Sequence, residues 1–564
     1  MRAASGARKT RSGLLHHSRV FGLLLFLLIV LSGSAAAQSS PDVVCPRFHA
    51  GAAVRSPDEL SSVDGVLEVT FHFQAVVDQQ GLTRYCYITD DGLQAPTLKV
   101  WPGDKLVIHL QNDLPVSGAD PRTPQVAKPA QDAPCDGMMG KFATNLHFHG
   151  MDIPPVCHQD EVIHTLVQPS ESFDYRIEIP KDEPPGLYWY HPHPHGFSES
   201  QVQGGASGAI IVEGIGTANP SLAGMPERVL ILRDQLLVTA DGTVIPDEDA
   251  VTKTSSTSQP TWDISINYVP VTFMNYLPAR ILSQPEKKEL WRVVNAAADT
   301  IFDLQLIVNN VPEQVQVVAI DGRPVAGPNS DSAGLQTHIP LSPGARVEFV
   351  VTTPHDGDQA QLVTQAWNTG PDGDSNPRRV IADIISQNGV RDGLPHITAG
   401  PVHQQEYGLT PIDKKQVRQR KLYFSESLKS AAVPGSSTKF FITVEGKTPA
   451  VFSMDSPPEI VVHEGDVEDW VIENRSHEDH VFHIHQIHFK LLAKDGRPVN
   501  DSTERDTIDL PYWDGKGAYP SVKLRMDFRN PAIVGTFMFH CHILEHEDGG
   551  MMGAIQVLPP VTAR

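Results

Sequence analysis

The sequence predicts an all-β protein built from Greek-key β-sandwich domains, and three observations support this prediction. Short runs of alternating apolar and polar residues, such as Lys105 to Leu110 and Ala345 to Val351, are typical of half-buried strands. The 46 prolines and 43 glycines divide the chain into short segments of this kind. Long amphipathic helical patterns are scarce, so the segments are expected to pack as sheet on sheet.

An internal repeat indicates three such domains. Thr97–Asp104 resembles Glu459–Asp466, and each stretch is followed at the same interval by an asparagine, Asn112 or Asn474. A diverged middle copy spans Glu289–Asn295. Self-similarity of this kind marks repeated structural units. We therefore predict domains at 38–218, 219–395 and 396–564, with an insertion at about 115–144 and a linker at about 390–417. The middle domain has no metal motif and is interpreted as a spacer.

The most informative stretch runs from His540 to Met551. Alternate side chains of a strand leave opposite faces, so His540 and His542 point one way and Cys541 points the other. Cys541, His546 and Met551 can supply the thiolate, one imidazole and the weak axial thioether of a blue-copper site. One strand can therefore serve two metal sites that lie back to back.

Three more histidine pairs have the same spacing and also share a strand face. They are His147 with His149, His191 with His193, and His483 with His485. His480 lies three positions before His483 and points to the other face, the parity needed for a partner of Cys541. Together with His540 and His542, the pairs provide eight imidazoles, enough for three further copper ions.

In their order and spacing, these four segments resemble the copper-binding motifs of the multicopper oxidases, the laccase-like three-domain family. The resemblance covers nearly the whole chain after residue 37. It implies three cupredoxin domains and four copper ions. One type 1 copper would take electrons from a donor. One type 2 and two type 3 coppers, held between the first and third domains, would reduce dioxygen to water.

The resemblance also assigns a role to each candidate residue. The type 1 copper would be held by His480, Cys541, His546 and, axially, Met551. The type 2 copper would be held by His147 and His483, and the type 3 pair by His149, His191, His193, His485, His540 and His542. Cys541 would also pass electrons to the cluster. Asp160 and Glu547 match the family's proton-supplying carboxylates, and each could instead orient a histidine.

Several nearby residues are expected not to bind copper, although their types would allow it: His195, His477, His488 and Met552. Two positions depart from the family pattern. Val481 replaces a proline and Gln486 replaces a glycine, which affects the local turn rather than the ligand set.

The donor is left open between two classes. Laccase-type oxidation of phenols or aromatic amines needs only a shallow apolar cleft beside a type 1 histidine, and it is the preferred interpretation. The alternative is oxidation of Cu(I), Fe(II) or Mn(II). The chain has only 11 methionines, mostly scattered, which weighs against a methionine-rich Cu(I) site. An Fe(II) or Mn(II) site made of a few carboxylates would leave no recognisable pattern in the sequence. In either case the partners are a small-molecule donor and dioxygen, and a monomer is expected.

The first 37 residues have the pattern of a signal peptide. Five basic residues precede or border an apolar run from Val20 to Leu31, and small residues at 35–37 follow it. Removing the segment changes the formal net charge from −22 to −27, because it carries five positive charges and no negative ones. Such an acidic protein would repel nucleic acid. We expect an exported protein, periplasmic or extracellular, without stable membrane insertion after cleavage.

The cysteine count fits export. If Cys541 binds copper, four cysteines remain, namely Cys45, Cys86, Cys135 and Cys157. They could form two disulfides in the first domain, and all three connectivities are open.

Overall fold

The computed structural model describes residues 44–115, 131–238, 259–273, 275–325, 334–390, 393–398, 400, 417–429, 437–501 and 503–560. The predicted signal peptide lies outside the described residues, as do most of the predicted insertion and much of the predicted linker. Among the described residues, no helix is long and apolar enough to span a membrane. Strands account for most of the regular structure, and they form three successive groups, each around its own core. The all-β prediction is confirmed.

The first group contains two five-stranded sheets, ordered β1-β4-β10-β9-β7 and β3-β2-β5-β8-β6. Its strands are β1 (Glu59–Ser61), β2 (Val66–Val77), β3 (Thr83–Ile88), β4 (Thr97–Val100), β5 (Lys105–Asn112), β6 (Gln131–Asp132), β7 (His147–His149), β8 (Glu171–Glu178), β9 (Gly186–His191) and β10 (Gly208–Val212). Its core lies between the sheets and includes Phe71, Tyr87 and Tyr175. Short helices α1 (Ser198–Gln203) and α2 (Ile215–Ala218) flank β10, and a 3-10 turn follows at Pro220–Leu222.

The middle group has a sheet ordered β13-β12-β11-β15-β22-β18-β19, in which β20 also pairs with β18. Its second sheet is β14-β26-β23-β16-β17, with β21 paired to β16, and β24 and β25 pair separately. The strands are β11 (Glu227–Leu236), β12 (Trp262–Ile266), β13 (Val269–Val271), β14 (Ala279–Ser283), β15 (Lys288–Asn295), β16 (Phe302–Val308), β17 (Val311–Pro312), β18 (Val315–Ile320), β19 (Arg323–Pro324), β20 (Gly334–Gln336), β21 (Ile339–Leu341), β22 (Arg346–Thr352), β23 (Ala360–Thr364), β24 (Trp367–Asn368), β25 (Ser375–Asn376) and β26 (Arg379–Ser386).

The third group has sheets ordered β28-β27-β30-β36-β32-β33, with β34 paired to β32, and β29-β38-β37-β31-β35. The strands are β27 (Arg418–Ser427), β28 (Lys439–Val444), β29 (Ile460–His463), β30 (Val467–Asn474), β31 (His480–Ile484), β32 (Phe489–Lys494), β33 (Arg497–Pro498), β34 (Glu504–Arg505), β35 (Thr507–Leu510), β36 (Ser521–Asp527), β37 (Gly535–Cys541) and β38 (Met552–Leu558). Helix α3 (Leu544–Asp548) separates β37 from β38, and a 3-10 turn at Pro531–Ile533 precedes β37.

The sequence repeat corresponds to a repeated strand arrangement. In the outer groups the strand that follows the repeated motif pairs in parallel with an earlier strand, β5 with β2 and β30 with β27. In the middle group, β15 itself carries the diverged copy and pairs in parallel with β11. In the outer groups the repeated motif turns at Gly103 and Gly465, whose φ angles are 90° and 100°. Glycine reaches this left-handed conformation without steric cost, which explains the Gly-Asp pair in both copies.

Strand β9 is buried along its whole length, because it packs on both faces. Tyr188 and Tyr190 face the core of the first group. Leu187 and Trp189 face the opposite way, against Val229, Ile231, Val294 and Ala296 of the middle group. A strand covered on both sides loses the alternation of apolar and polar residues, as β9 does. The first histidine of the second pair, His191, ends this fully enclosed strand.

Both disulfides expected from the cysteine count are present, and the structure selects one connectivity. Cys45 pairs with Cys86 and Cys135 pairs with Cys157, with Cα–Cα separations of 5.4 and 5.8 Å. Both lie in the first group. Cys541 is the fifth cysteine, and its thiol is free and buried.

Candidate metal centre

The thiol of Cys541 lies beside two imidazoles at the end of strand β37. Its Sγ is 3.7 Å from Nδ1 of His480 and 3.5 Å from Nδ1 of His546, and these two nitrogens are 3.0 Å apart. Strand β31 supplies His480, whereas His546 comes from helix α3, which follows β37 directly. The main-chain N–H of Val481 donates to the Cys541 sulfur at 3.3 Å. Met551 is fully buried in the same core, and its carbonyl accepts from the Cys541 N–H at 3.1 Å.

The outer nitrogens of these two imidazoles face carboxylates. His480 Nε2 lies 2.7 Å from the Ser476 hydroxyl and 3.2 Å from Glu426 Oε1. His546 Nε2 lies 3.3 Å from Glu478 Oε1. Burial would raise the pKa of Glu426, but the hydrogen bond and charge of His480, together with His546 and Ser476, outweigh it, and the pKa is lowered. Both imidazoles therefore have a carboxylate at their outer edge, and no sequence motif predicted this feature.

The eight remaining motif histidines come together in one buried cluster between the first and third groups of strands. His149, His191 and His542 form one triad, with ring centroids 4.9 to 5.8 Å apart. His193, His485 and His540 form a second, with centroids 5.0 to 5.3 Å apart. The remaining two, His147 and His483, have ring centroids 6.2 Å apart. The structure thus brings together all the histidines predicted from the sequence. As strand alternation predicts, two of them lie beside Cys541 and the other eight form the separate cluster.

The chemistry of this cluster fits metal ions. Six of the imidazoles have at least one buried ring nitrogen without a hydrogen-bond partner: His147, His149, His191, His483, His485 and His542. A buried polar atom without a hydrogen-bond partner lowers the stability of the fold by about 1–3 kcal/mol. Bound cations would give these nitrogens the partners that they lack. Burial lowers the pKa of all eight imidazoles, and neighbouring imidazoles lower that of most of them further. Burial lowers the pKa of His483 to about 4, although Asp506 opposes the shift. Neutral imidazoles are the form that binds copper.

The two predicted carboxylates lie behind ligand histidines. Both oxygens of Asp160 are 3.0 Å from His147 Nδ1, and the side-chain amide of Gln486 donates to the same carboxylate. Gln486, the departure noted in the third motif, therefore links Asp160 to the third group of strands. Glu547 Oε2 is 3.1 Å from His540 Nδ1. Burial raises the pKa of both carboxyl groups well above the ordinary value. Asp160 therefore orients His147 through a hydrogen bond, Glu547 lies beside His540, and both carboxyl groups lie where a proton could be held.

The middle group of strands also reaches the cluster, which the interpretation as a spacer did not anticipate. Arg346 forms two hydrogen bonds to Asp506, at 2.8 and 2.7 Å, and Asp506 Oδ1 lies 3.3 Å from His149 Nε2. Burial would raise the pKa of Asp506, but Arg346 and His149 hold it well below the ordinary value. Neither residue lies in a recognisable motif, so sequence reasoning had no signal for them.

The residues expected not to bind copper lie elsewhere. His195 packs edge-on against Phe452, with ring centroids 5.2 Å apart, and His477 stacks on Trp513. His488 lies between Asp506 and Arg323, each within 3.3 Å of a ring nitrogen. Met552 packs in a separate apolar cluster with Met538, whereas Met551 shares the core of Cys541.

Comparison with known proteins agrees with this geometry. Two family models described as multicopper oxidase match residues 139–216 and 427–561, which contain the four histidine segments. The chain is 26% identical over 474 residues to the multicopper oxidase mco of Staphylococcus haemolyticus, covering 82% of each chain. It is 24% identical over 497 residues to a laccase of Haloferax volcanii, covering 84% of this chain and 78% of the laccase.

A solved structure shows the same fold. A multicopper oxidase from Campylobacter jejuni, described as a metallo-oxidase, superposes with a TM-score of 0.64 at 23% identity, covering 91% of this chain and 96% of that one. Its fold is the cupredoxin fold, as predicted for this chain. The matched family models, the relatives and the arrangement of histidines around Cys541 together show that this chain belongs to the multicopper oxidase family.

Proposed function

We propose that the protein is a four-copper oxidase that oxidises a divalent metal cation, Fe(II) or Mn(II), and reduces dioxygen to water. The pair of carboxylates at the outer edges of His480 and His546 is the observation that carries the choice of donor. Four cations would each lose one electron, and dioxygen would take up four electrons and four protons to give two water molecules.

The ligand sets support four coppers of three kinds. The thiolate of Cys541 with two imidazoles and a buried methionine suits a type 1 copper. Each triad of imidazoles suits one copper of a type 3 pair, and His147 with His483 suits a type 2 copper. When bound, the coppers would accept electrons singly at one place and deliver them to dioxygen at another.

The chain itself provides the connection between the two places. Cys541 faces the first site, and its neighbours His540 and His542 face the cluster, so three consecutive residues join them. Asp160 accepts from His147 Nδ1, and the carbonyl of Cys541 accepts from His540 Nδ1 at 2.9 Å, so each fixes which ring nitrogen carries the proton. Glu547 lies beside the same His540 nitrogen, at 3.1 Å. The cluster is buried, which keeps bulk water away from partly reduced oxygen.

A metal cation suits the electron-entry side because the imidazole edges are covered by carboxylates rather than open. His480 is fully buried, and the side chains of Glu426 and Glu478 are only 5% and 10% exposed. Carboxylate oxygens are ligands preferred by hard divalent cations, whereas Cu(I) prefers soft sulfur. The acidic chain, of formal net charge −22, also attracts cations. An electron from a cation held there would pass through a hydrogen bond to His480.

Laccase-type oxidation of phenols or aromatic amines is the second candidate, and one observation favours it. Trp513 stacks on His477, with ring centroids 5.7 Å apart, and lies against a tilted Tyr519 ring at 4.8 Å. The main-chain N–H of Trp513 donates to the carbonyl of Ser476, and the Ser476 hydroxyl contacts His480. An aromatic donor could stack on this partly exposed surface near the type 1 site.

We also propose that the protein is exported and that it has three domains. The two disulfides support an oxidising compartment, because such bonds are rare in the reducing cytosol. The three groups of strands, with separate cores, support the division into 38–218, 219–395 and 396–564.

The test compares oxygen uptake by the copper-loaded protein with Fe(II), Mn(II) and a methoxyphenol, corrected for uncatalysed oxidation. Glu426→Gln and Glu478→Gln are each expected to lower kcat/KM for the metal ion on the order of tenfold, since a lost charge-assisted contact amounts to about 1.5–3 kcal/mol. Glu445→Gln, which alters a carboxylate paired with Arg475, is the matched control and should leave kcat/KM unchanged.

Each outcome decides between the candidates. A higher kcat/KM for the phenol, insensitive to both glutamate variants but lowered by Trp513→Ala, would replace the metal-ion proposal by the laccase one. No oxygen uptake with any donor at full copper loading would overturn both.

A further inference from the structure

A loop of the middle domain comes into contact with the histidine cluster at Gly344. The φ angle of Gly344 is 84°, and a Cβ placed there would lie 2.8 Å from His542 Cδ2 and 3.0 Å from His149 Cε1. Real Cβ atoms do not approach other atoms this closely, so any larger residue would push the two rings apart. Both rings belong to the triad of His149, His191 and His542. The middle domain therefore forms part of the wall of the cluster.

Two positions later, Arg346 reaches across the interface to the third domain. Its guanidinium forms a two-pronged hydrogen bond with Asp506, and both side chains are fully buried. The main-chain N–H of Arg346 donates to Asp321 Oδ1 at 2.9 Å, and its side chain also donates to the carbonyls of Leu187 and Gly344. Planar two-pronged pairs of this kind fix both position and orientation.

Asp506 in turn fixes two ligand histidines from different domains. Its carboxylate already accepts from Arg346, from the Thr507 hydroxyl and from His488, so it meets His149 Nε2 as an acceptor. That contact puts the proton of His149 on Nε2 and leaves the unpaired Nδ1 free to bind metal. The carbonyl of Asp506 accepts from His483 Nδ1 at 2.9 Å, which leaves the unpaired Nε2 of His483 free in the same way.

We propose that Arg346 is a positioning residue for oxygen reduction: through Asp506 it sets the tautomer and orientation of His149 and His483, so the copper-free middle domain completes the trinuclear site. The proposal rests on the assignment of the eight clustered imidazoles to three coppers made above. It gives the middle domain a role in positioning two histidines of the cluster, in addition to that of a spacer.

The Arg346–Asp506 pair also lies close to the backbone beside His149. A Cβ at Gly150, the residue after His149, would lie 2.1 Å from Arg346 Nη2 and 2.7 Å from Asp506 Oδ2. The Arg346–Asp506 pair therefore crosses directly over the backbone of the first histidine motif. Loss of the outer partner of a ligand histidine typically costs about 10- to 100-fold in metal affinity or activity.

The test uses the full chain with Arg346→Lys, which keeps the charge but cannot form the two-pronged contact. Arg228→Lys is the matched control, because Arg228 forms an equivalent buried pair with Glu289 within the middle domain. Copper content, the type 2 electron paramagnetic resonance signal, the type 1 blue absorption and the rate of reoxidation by dioxygen are measured for each protein. The wild type is expected to hold four coppers per chain.

For Arg346→Lys we expect an altered type 2 signal, copper lost from the cluster and reoxidation slowed by about tenfold or more, with the blue absorption retained. Arg228→Lys should match the wild type in all four. Four coppers, an unchanged type 2 signal and unchanged reoxidation in Arg346→Lys would overturn the proposal. A wild type that does not bind four coppers would instead overturn the proposed function.

If Arg346→Lys does not accumulate as folded protein, Gly344→Ala decides the question. It leaves every hydrogen bond of Arg346 and Asp506 available but introduces a methyl group against His149 and His542. Loss of cluster copper with retained blue absorption would support the role of the middle domain, and unchanged cluster spectra would overturn it.

Discussion

The Nε2 atoms of His193 and His540 lie 3.4 Å apart, although 347 residues separate the two histidines in the chain. Both rings are buried, and burial followed by a neighbouring imidazole lowers the pKa of each, so two neutral nitrogens face one another. This arrangement is favourable when a cation lies between the rings. It also means that the first and third groups of strands must dock correctly before the cluster exists, and that copper, when bound, would stabilise the docked state.

Cys541→Ser should abolish the intense blue absorption and reduce turnover to background. Serine cannot provide the thiolate that lies 3.5 and 3.7 Å from the two imidazole nitrogens. The eight clustered histidines are untouched, so the variant should retain three of four coppers by metal analysis. Retained blue colour would exclude Cys541 as the type 1 ligand.

Glu547→Gln should slow reoxidation of the fully reduced protein by dioxygen about 10- to 100-fold, with little change in the rate of donor oxidation. Glu547 follows His546 in the chain, but its carboxylate lies 3.1 Å from His540 Nδ1 in the cluster, whereas the outer edges of His480 and His546 face Glu426 and Glu478. Stopped-flow measurement of the two half-reactions separates these effects. Equal slowing of both half-reactions would contradict the assignment.

Removal of the disulfide between Cys45 and Cys86 should destabilise the first domain. The bond closes a loop of sequence separation 41, which corresponds to about 4 kcal/mol in the chain-entropy model. The double variant Cys45→Ser/Cys86→Ser should unfold at lower denaturant concentration, while the type 1 blue absorption of the third domain persists to higher concentration. Unchanged unfolding of the double variant would show that the bond does not constrain the unfolded chain.

His72→Gln should reduce stability at neutral and acidic pH but not at high pH. Hydrogen bonds to Asp113, at 2.8 Å, and to Asp90, at 2.9 Å, raise the pKa of His72 to about 9. A group whose pKa is raised in the folded state stabilises the protein below its unfolded pKa, and that stabilisation is lost as pH rises through the folded value.

The difference in unfolding midpoint between wild type and His72→Gln should therefore be full below about pH 6.5, shrink between about 6.5 and 9, and vanish above that range. Asp113→Asn should show the same pH dependence, because it removes the main partner of the imidazolium. A difference that stays constant from pH 6 to pH 10 would show that the ion pairs do not stabilise the fold.

The all-β fold, the family and a set of candidate copper ligands could be predicted from the sequence alone. Strand alternation is a local property, so the spacing of His540, Cys541 and His542 was sufficient to predict two sites on opposite faces of one strand. His480 lies an odd number of positions before His483, so the same alternation predicted that it faces Cys541 and not the cluster. Asp160 and Glu547 were selected through the resemblance to the family, whose proton-supplying carboxylates lie just after the first motif and in the last one.

What surrounds those candidate ligands could not be predicted from the sequence, because these contacts join residues far apart in the chain. Glu426 meets His480 across 54 positions, and Arg346 meets Asp506 across 160. Neither contact follows a period or a spacing, since each depends on how separate sheets dock. The sequence likewise left the disulfide connectivity open, because each pairing depends on which cysteines the fold brings together. The middle domain could therefore be read as a spacer from its sequence, although its packing brings Gly344 against the rings of the cluster.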